Sequence, residues 1–278
     1  MRNRILTWTR RACAVAGLLA FAAAPAMAQN ANCRNTGSFD RWLADFKKEA
    51  AAQGISAAAI NAASPYLVLD QRIIGIDRGQ RFFSQNFLEF SDKMLAGSRL
   101  PSGAAQIRKY QPIFAREEKE FGVPAAVITG FWGLESDFGS GQGNYQALKS
   151  LATLAYDCRR SELFRGELMD ALRLIERGDL SASEMRGAWA GEIGQTQFMP
   201  SNYIKYAVDF DSNGRRDLLR SPPDVLASTA NFLVGYGWQK GKDYQPGSPN
   251  FPVLQQWNKS DVYARTIASF ASQLAKAP

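Results

Sequence analysis

Along most of the chain, apolar positions recur at helical spacing, and the strict alternation of a half-buried strand is scarce. Over 39–53, Phe39, Trp42, Leu43 and Phe46 share one helical face and Gly54 supplies the stop. Ser56 predicts the cap of a short helix that Ser64-Pro65 ends. The pattern predicts a helix over 80–95 with Phe83, Phe87 and Phe90 on its core face, and a longer one over 102–121 with a charged end. Pro124 suits the first position of a helix that carries Glu135, broken afterwards by Gly139, Gly141 and Gly143. Helices follow over 147–157, 161–177 and 228–235, with a short one starting at Ser181. A Gly/Pro-rich linker over 241–252 precedes an amphipathic helix over 260–274, expected to pack back on the N-terminal helices. The fold class is therefore mainly α. Its expected divisions are an N-terminal helical subdomain over 29–115, a core over 116–240, and a linker with C-terminal helix over 241–278.

The first 28 residues read as a signal peptide. Arg2, Arg4, Arg10 and Arg11 are followed by an apolar stretch too short to span a membrane comfortably, then by Ala26-Met27-Ala28 as a cleavage site. Export to the periplasm with cleavage after Ala28 is the expectation. Losing those four arginines lowers the formal charge from +7 to about +3. That is too mild to argue for nucleic acid, though it suits an anionic polymer such as a cell wall. Cys33 and Cys158 remain after cleavage, and two cysteines in an exported chain make a disulfide the default.

The chain has no histidine. Ser-His-Asp and Cys-His catalysis are excluded, as are His-rich zinc sites. Chemistry must run on carboxylates, hydroxyls, amides or backbone. Glu135 is the leading acid: Ile128, Phe131 and Trp132 lie seven, four and three residues before it and share its helical face. A carboxyl in such a setting is pushed toward its neutral form and can serve as a general acid near neutral pH.

A second dense run begins at Gly191-Glu192 and ends at Tyr203. Gln195, Gln197 and Tyr203 offer partners for sugar hydroxyls and acetamides, and Phe198 and Met199 offer faces for a pyranose ring. The same run reads equally well as a loop entering a helix at Pro200. A third run places Asp209, Asp211 and Asn213 at positions 1, 3 and 5 of a calcium-type loop, with Gly214 at position 6. Position 12 is Arg220, and Asp224 lies four residues further on. An ordinary Asx-rich turn is the alternative.

Together, Trp132-Gly133-Leu134-Glu135-Ser136-Asp137-Phe138-Gly139, residues 147–155, Gln197-Phe198-Met199-Pro200-Ser201, residues 227–232 and residues 258–264 resemble the lytic murein transglycosylase B family, in that order. The resemblance covers roughly 39–274. It implies a lysozyme-like, mainly helical fold and cleavage of the MurNAc-β-1,4-GlcNAc bond of peptidoglycan with 1,6-anhydroMurNAc ends. Glu135 would be the single catalytic acid and base. Sugar contacts would fall on Gln197, Phe198 and Tyr263, with Trp257 at a C-terminal stacking position. The family pattern makes the Asp209 loop an EF-hand-like site for calcium or sodium, held by Asp209, Asp211, Asn213, the Arg215 carbonyl and Asp224. It implies no organic cofactor. It also implies peptidoglycan glycan strands as partner, cell-wall synthesis or envelope-complex proteins as further candidates, and a monomer.

Three departures from the pattern stand out. Ala188 replaces a serine that would bond the catalytic acid. Trp257 replaces a tyrosine, keeping stacking and losing a hydroxyl. The segment after Gly241 is too short for the β-rich subdomain found there in a soluble relative. Two rival readings stay open: lysozyme-type hydrolysis, with Glu192 or Asp137 as second carboxylate, and a non-catalytic peptidoglycan-binding scaffold.

Overall fold

The computed structural model describes residues 35, 37–79 and 86–277. The signal segment with its Ala28 cleavage site, Cys33, Phe83 and the rest of 80–85 lie outside the described residues. The chain folds as helices α1 (Phe39–Ala52), α2 (Ala57–Ala63), α3 (Gln71–Gly79), α4 (Phe87–Leu95), α5 (Arg99–Lys109), α6 (Gln111–Phe121) and α7 (Ala125–Ser136). A short β1 (Tyr145–Gln146) leads into α8 (Ala147–Tyr156) and α9 (Ser161–Glu176), and β2 (Arg186–Gly187) pairs antiparallel with β1. Helices α10 (Pro200–Tyr206), α11 (Pro222–Gly235), α12 (Phe251–Trp257) and α13 (Asp261–Leu274) complete the element order. Among the described residues no helix is long and apolar enough to cross a membrane.

Side-chain caps fix several helix starts. Ser56 accepts from the Ala59 N–H at 3.2 Å, Asn86 from Glu89 at 3.0 Å and Ser260 from Tyr263 at 3.3 Å. The sequence pattern over 102–121 hid a break. Tyr110 closes α5 and opens α6, because Pro112 has no N–H to continue the helical ladder to Arg108 and its ring crowds that carbonyl. The expected division between residues 115 and 116 consequently falls within α6. From Ser181 the chain forms a turn rather than a helix: the Glu184 carboxylate accepts from the Ser181 N–H and hydroxyl at 3.0 and 2.7 Å. Residues 241–250 are a packed turn region rather than a loose linker. The buried Asn250 side chain accepts from the Gln239 N–H and donates to the Gln239 and Lys242 carbonyls.

Helix α7 is apolar on all sides and lies at the centre. Its glycines let α13 approach closely: a Cβ at Gly133 would stand 3.1 Å from the Phe270 ring. Helix α13 packs mainly on α7, and also on α4, α5 and α12. It is thus a wall of the core as well as a cover for the N-terminal helices. Helix α8 packs along α9, while α2 and α10 also lie against α9. A continuous set of buried apolar side chains runs from Trp42 on α1 to Leu274 on α13.

Candidate active site

Glu135 stands in the last turn of α7, where Asp137, Phe138 and Gly139 adopt successive left-handed conformations and turn the chain away. Gly139 is required there twice over. Its φ is +88°, and a Cβ would lie 2.3 Å from Gln195 Oε1. The Gln195 carboxamide locks the adjoining loop to α7, accepting from Trp132 Nε1 at 2.8 Å and donating to the Leu219 carbonyl at 2.9 Å. Ser136 Oγ donates to the Gln195 carbonyl and accepts from the Gly139 N–H. The acid is therefore held by a stiff corner.

Two donors converge on one oxygen of Glu135. Trp257 Nε1 donates to Oε1 at 3.0 Å, and the Tyr263 hydroxyl donates to the same atom in a short hydrogen bond. Among the described residues no hydrogen bond reaches Oε2. Burial is the largest influence on this carboxyl and pushes its pKa up to about 7; the two donors pull the other way, and the charge of Glu192 pushes up again. Trp257 is itself fixed among Phe131, Phe198 and Phe232, with ring centroids 4.5, 5.3 and 4.7 Å away.

These residues line a cleft of about 400 Å³ whose walls include Glu135, Ala188, Glu192, Gln197, Met199, Asn202, Trp257 and Asn258. Gln197 donates from Nε2 to the Gln142 and Gly194 carbonyls at 3.0 and 2.7 Å, which leaves its oxygen for a ligand. A carboxyl raised to about 7 with one oxygen held by two donors, beside amide groups and aromatic walls, suits proton transfer to a glycosidic oxygen.

Residues 38–248 match the family described as the Transglycosylase SLT domain. The chain belongs to that family. It is similar to the membrane-bound lytic murein transglycosylase B of Escherichia coli (strain K12), with 33% identity over 172 residues, 59% of this chain and 47% of that protein. The chain thus spans about half the length of the curated relative it matches. SltB3 from Pseudomonas aeruginosa, solved in complex with NAG-anhNAM-pentapeptide, superposes with a TM-score of 0.82 at 29% identity over 87% of this chain and 80% of that one. The Escherichia coli lytic transglycosylase Slt35 in complex with calcium has the same fold, with a TM-score of 0.71 at 23% identity over 88% and 94%. The fold is the lysozyme-like, mainly helical one of this family.

The residues expected at the site from the sequence divide. Gln197, Phe198, Met199 and Trp257 line the Glu135 cleft, though Phe198 is almost wholly buried. Tyr203 does not: it is fully buried, its hydroxyl donating to the Arg216 carbonyl at 2.6 Å and accepting from the Leu218 N–H at 3.1 Å. Gln195 is likewise committed to Trp132 and Leu219. Tyr263 lies behind Glu135 as its hydrogen-bond donor rather than on the cleft wall. Trp257 loses the tyrosine's hydroxyl but supplies an indole N–H to the acid, a role its stacking position did not suggest. Ala188 lines the cleft without a hydroxyl to offer. Asn202 and Asn258 also line the cleft, and Asn258 opens one of the motif runs. Asp137 points elsewhere, paired with Arg99 at 2.6 Å. Glu192 is the carboxyl that shares the cleft with Glu135.

Carboxyl oxygens of Asp209 and Asp211, in the loop after α10, and of Asp224, in the first turn of α11, lie within 4.8 Å of one another. Asp224 accepts from the Phe210 and Asp217 N–H groups at 2.8 and 2.9 Å, and its pKa is raised by burial first and by the Asp211 charge among other influences. Asp209 accepts from the Asn213 and Gly214 N–H groups at 3.0 and 2.8 Å. Asn213 Oδ1 accepts from the Arg215 N–H at 2.9 Å. Arg220, at loop position 12, pairs with Glu184 and Asp217 instead of facing the acids. Three oxygen donors that repel one another fit a hard cation. Cys158 is disulfide-bonded; Cys33, its expected partner, is outside the described residues.

Proposed function

We propose that the chain is a lytic transglycosylase of peptidoglycan, cleaving the MurNAc-β-1,4-GlcNAc bond with Glu135 as both acid and base. The observation that carries this reading is the convergence of Trp257 and Tyr263 on Oε1 of a carboxyl whose pKa is raised to about 7. With Oε1 accepting two hydrogen bonds, the acid's proton resides on Oε2 and is delivered to the glycosidic oxygen. The substrate's own N-acetyl group stabilises the cation-like anomeric carbon. Glu135, now a carboxylate, then takes the proton of the muramyl 6-hydroxyl as that oxygen attacks the anomeric carbon. No water is consumed, so the product end is an anhydro sugar. SltB3 is solved with a pentapeptide ligand carrying that anhydro sugar and with one carrying ordinary NAM, the two kinds of end this course connects.

Mass analysis of muropeptides released from purified sacculi tests the reading. Ends lighter by one water support it, and reducing ends would replace it with a lysozyme-type hydrolysis that uses Glu192. The expected site of action is the periplasm, reached through the signal segment ending at Ala28.

The reading extends to a cation at Asp209, Asp211, Asn213, the Arg215 carbonyl and Asp224. A bound cation would neutralise the loop's crowded carboxylates and so tie α10 to α11. Calcium should raise Tm of the wild type and leave Asp209→Asn/Asp211→Asn unmoved; an equal rise in both would remove the site.

A further inference from the structure

Glu192 is a half-buried carboxyl on the cleft wall, and the two proton transfers above give it no task. A narrow hairpin sets its place. Gly187 bridges Ile193 in antiparallel register, so Ala188 stands opposite Glu192, and the Ala188 N–H donates to the Glu192 carbonyl at 3.1 Å. Opposed residues of such a pair project to one face, with Cβ atoms about 4.5–5.5 Å apart. Both side chains line the Glu135 cleft. Ala188 offers a methyl group alone, so the polar position on this part of the wall belongs to Glu192.

The hairpin is stiff. A Cβ on Gly187 would lie 1.7 Å from the Glu192 carbonyl oxygen, and one on Gly191, whose φ is +98°, would lie 2.5 Å from Leu151 Cδ2 of α8. Ile193 then exchanges both backbone hydrogen bonds with Phe198, at 2.8 and 2.9 Å. Glu192 Oε2 accepts from the Ala190 N–H at 3.2 Å, which anchors the carboxyl. Among the described residues no other residue donates to Oε1.

The substrate brings a donor that needs such an oxygen. As the glycosidic bond breaks, the acetamido oxygen on C2 of the muramyl ring turns toward the anomeric carbon. Its N–H is then held against the cleft wall and gains positive character as the oxygen shares its electrons. An acceptor there is worth more in the transition state than in the ground state, and an unpaired N–H would add to the barrier. That acceptor has to stand near the acid, because C2 adjoins the carbon whose bond Glu135 helps to break. Glu192 meets this condition, since its charge acts on Glu135. Asn258 does not compete: its Oδ1 is taken by the Ser260 N–H at 2.9 Å. Burial raises the Glu192 pKa, but a carboxyl oxygen accepts in either protonation state.

We infer that Glu192 Oε1 accepts the N–H of the muramyl 2-acetamido group and so aims its carbonyl oxygen at the anomeric carbon, a role that rests on the transglycosylase reading above. The bond from C1 to the leaving sugar breaks as Glu135 gives its proton to that oxygen, and the acetamido oxygen closes on C1. The 6-hydroxyl oxygen then displaces it, and its proton returns to Glu135. Glu192 holds the acetamide through both steps and transfers no proton.

The test reads binding by calorimetry on the full-length protein. Its ligands are the disaccharide GlcNAc–1,6-anhydroMurNAc and the same compound with hydrogen in place of the muramyl acetamido group. Glu192→Met is expected to weaken the acetamido compound about fivefold and to change the 2-deoxy compound by less than about twofold. The same variant should lower kcat about thirtyfold. Glu192→Gln keeps an oxygen with two lone pairs, and should recover most of both the acetamide preference and the turnover. An equal loss for the two ligands would reduce Glu192 to a brace for its hairpin and overturn the proposal. An acetamide preference unchanged in Glu192→Met would overturn it too, and would pass the group to Gln197 or Asn202. If Glu192→Met melts below the wild type, Glu192→Ser, too short to reach the acetamide, repeats the measurement with the same outcomes. Products are judged separately. Reducing ends from the wild type, with the selective loss of the acetamido ligand intact, would sink the transglycosylase reading and keep the acceptor. Anhydro ends, with both ligands weakened alike, would do the reverse.

Discussion

Glu117 and Glu135 sit on consecutive helices and both are taken out of water, yet they are opposite kinds of acid. Glu117, on α6, is fully buried and neither carboxyl oxygen has a hydrogen-bond partner among the described residues. Burial, with the neighbouring charges of Glu118 and Glu120, holds its pKa well above the usual carboxylate value. Glu135 is also driven up by burial, but two donors hold Oε1 and the cleft opens beside it. A raised pKa alone therefore does not make a catalytic acid. The useful carboxyl also has a fixed proton position and a path to a substrate.

The largest contrast expected is in turnover. Glu135→Gln should lower muropeptide release by about a thousandfold or more, while Glu117→Met should leave it within about twofold. A comparable loss from Glu117→Met, in a variant whose melting is intact, would break the comparison.

Stability should divide the pair next. Each carboxyl has a folded pKa above its ordinary value of 4.5, so ionisation favours unfolding. The stability each allows is greatest below about pH 4.5 and is lost as pH rises toward the folded pKa. For Glu135 that loss ends near pH 7. Glu117→Met should therefore stabilise at neutral pH by about 1–3 kcal/mol and flatten the decline above pH 5. Urea unfolding across pH checks this, and a variant that is destabilised with an unchanged slope would refute it.

The smallest effects belong to the groups around Glu135. Activity should fall as pH rises through about 7, because the acid form is needed first. Tyr263→Phe removes a bond that favours the carboxylate, so this alkaline limb should move up while kcat drops about tenfold. Glu192→Gln removes a like charge, so the limb should move down by a few tenths of a pH unit. Shifts of the same sign in both variants would show that the limb reports another group.

How far the sequence could be read follows the same contrast. Helix α7 was legible because Pro124 opens it, glycines close it and every face between is apolar. The Ser56 cap marked another start, whereas Ser260 caps the helix that the pattern began on it. Glu117 was hidden in Arg116-Glu117-Glu118-Lys119-Glu120, a run that reads as solvated, because burial of one member depends on which face meets α11. Tyr203 and Gln195 looked like ligand groups for a similar reason. A polar side chain beside a motif can be committed to backbone partners from distant segments, here Arg216, Leu218 and Leu219. The indole N–H of Trp257 reached Glu135 across 122 residues of chain, which spacing could not disclose. The acidic cluster was only half open to reading: Asp209, Asp211 and Asn213 are nearly contiguous, whereas Asp224 joins them from the first turn of α11.

One carboxyl, Glu135, is proposed to make both proton transfers although Glu192 shares its cleft. Sacculi digested with wild type, Glu135→Gln and Glu192→Gln, followed by muropeptide masses, test it directly. Anhydro ends are expected from the wild type, anhydro ends at a similar rate from Glu192→Gln, and almost no release from Glu135→Gln. Reducing ends from the wild type that vanish in Glu192→Gln would contradict it, because both carboxyls would then be required for attack by water.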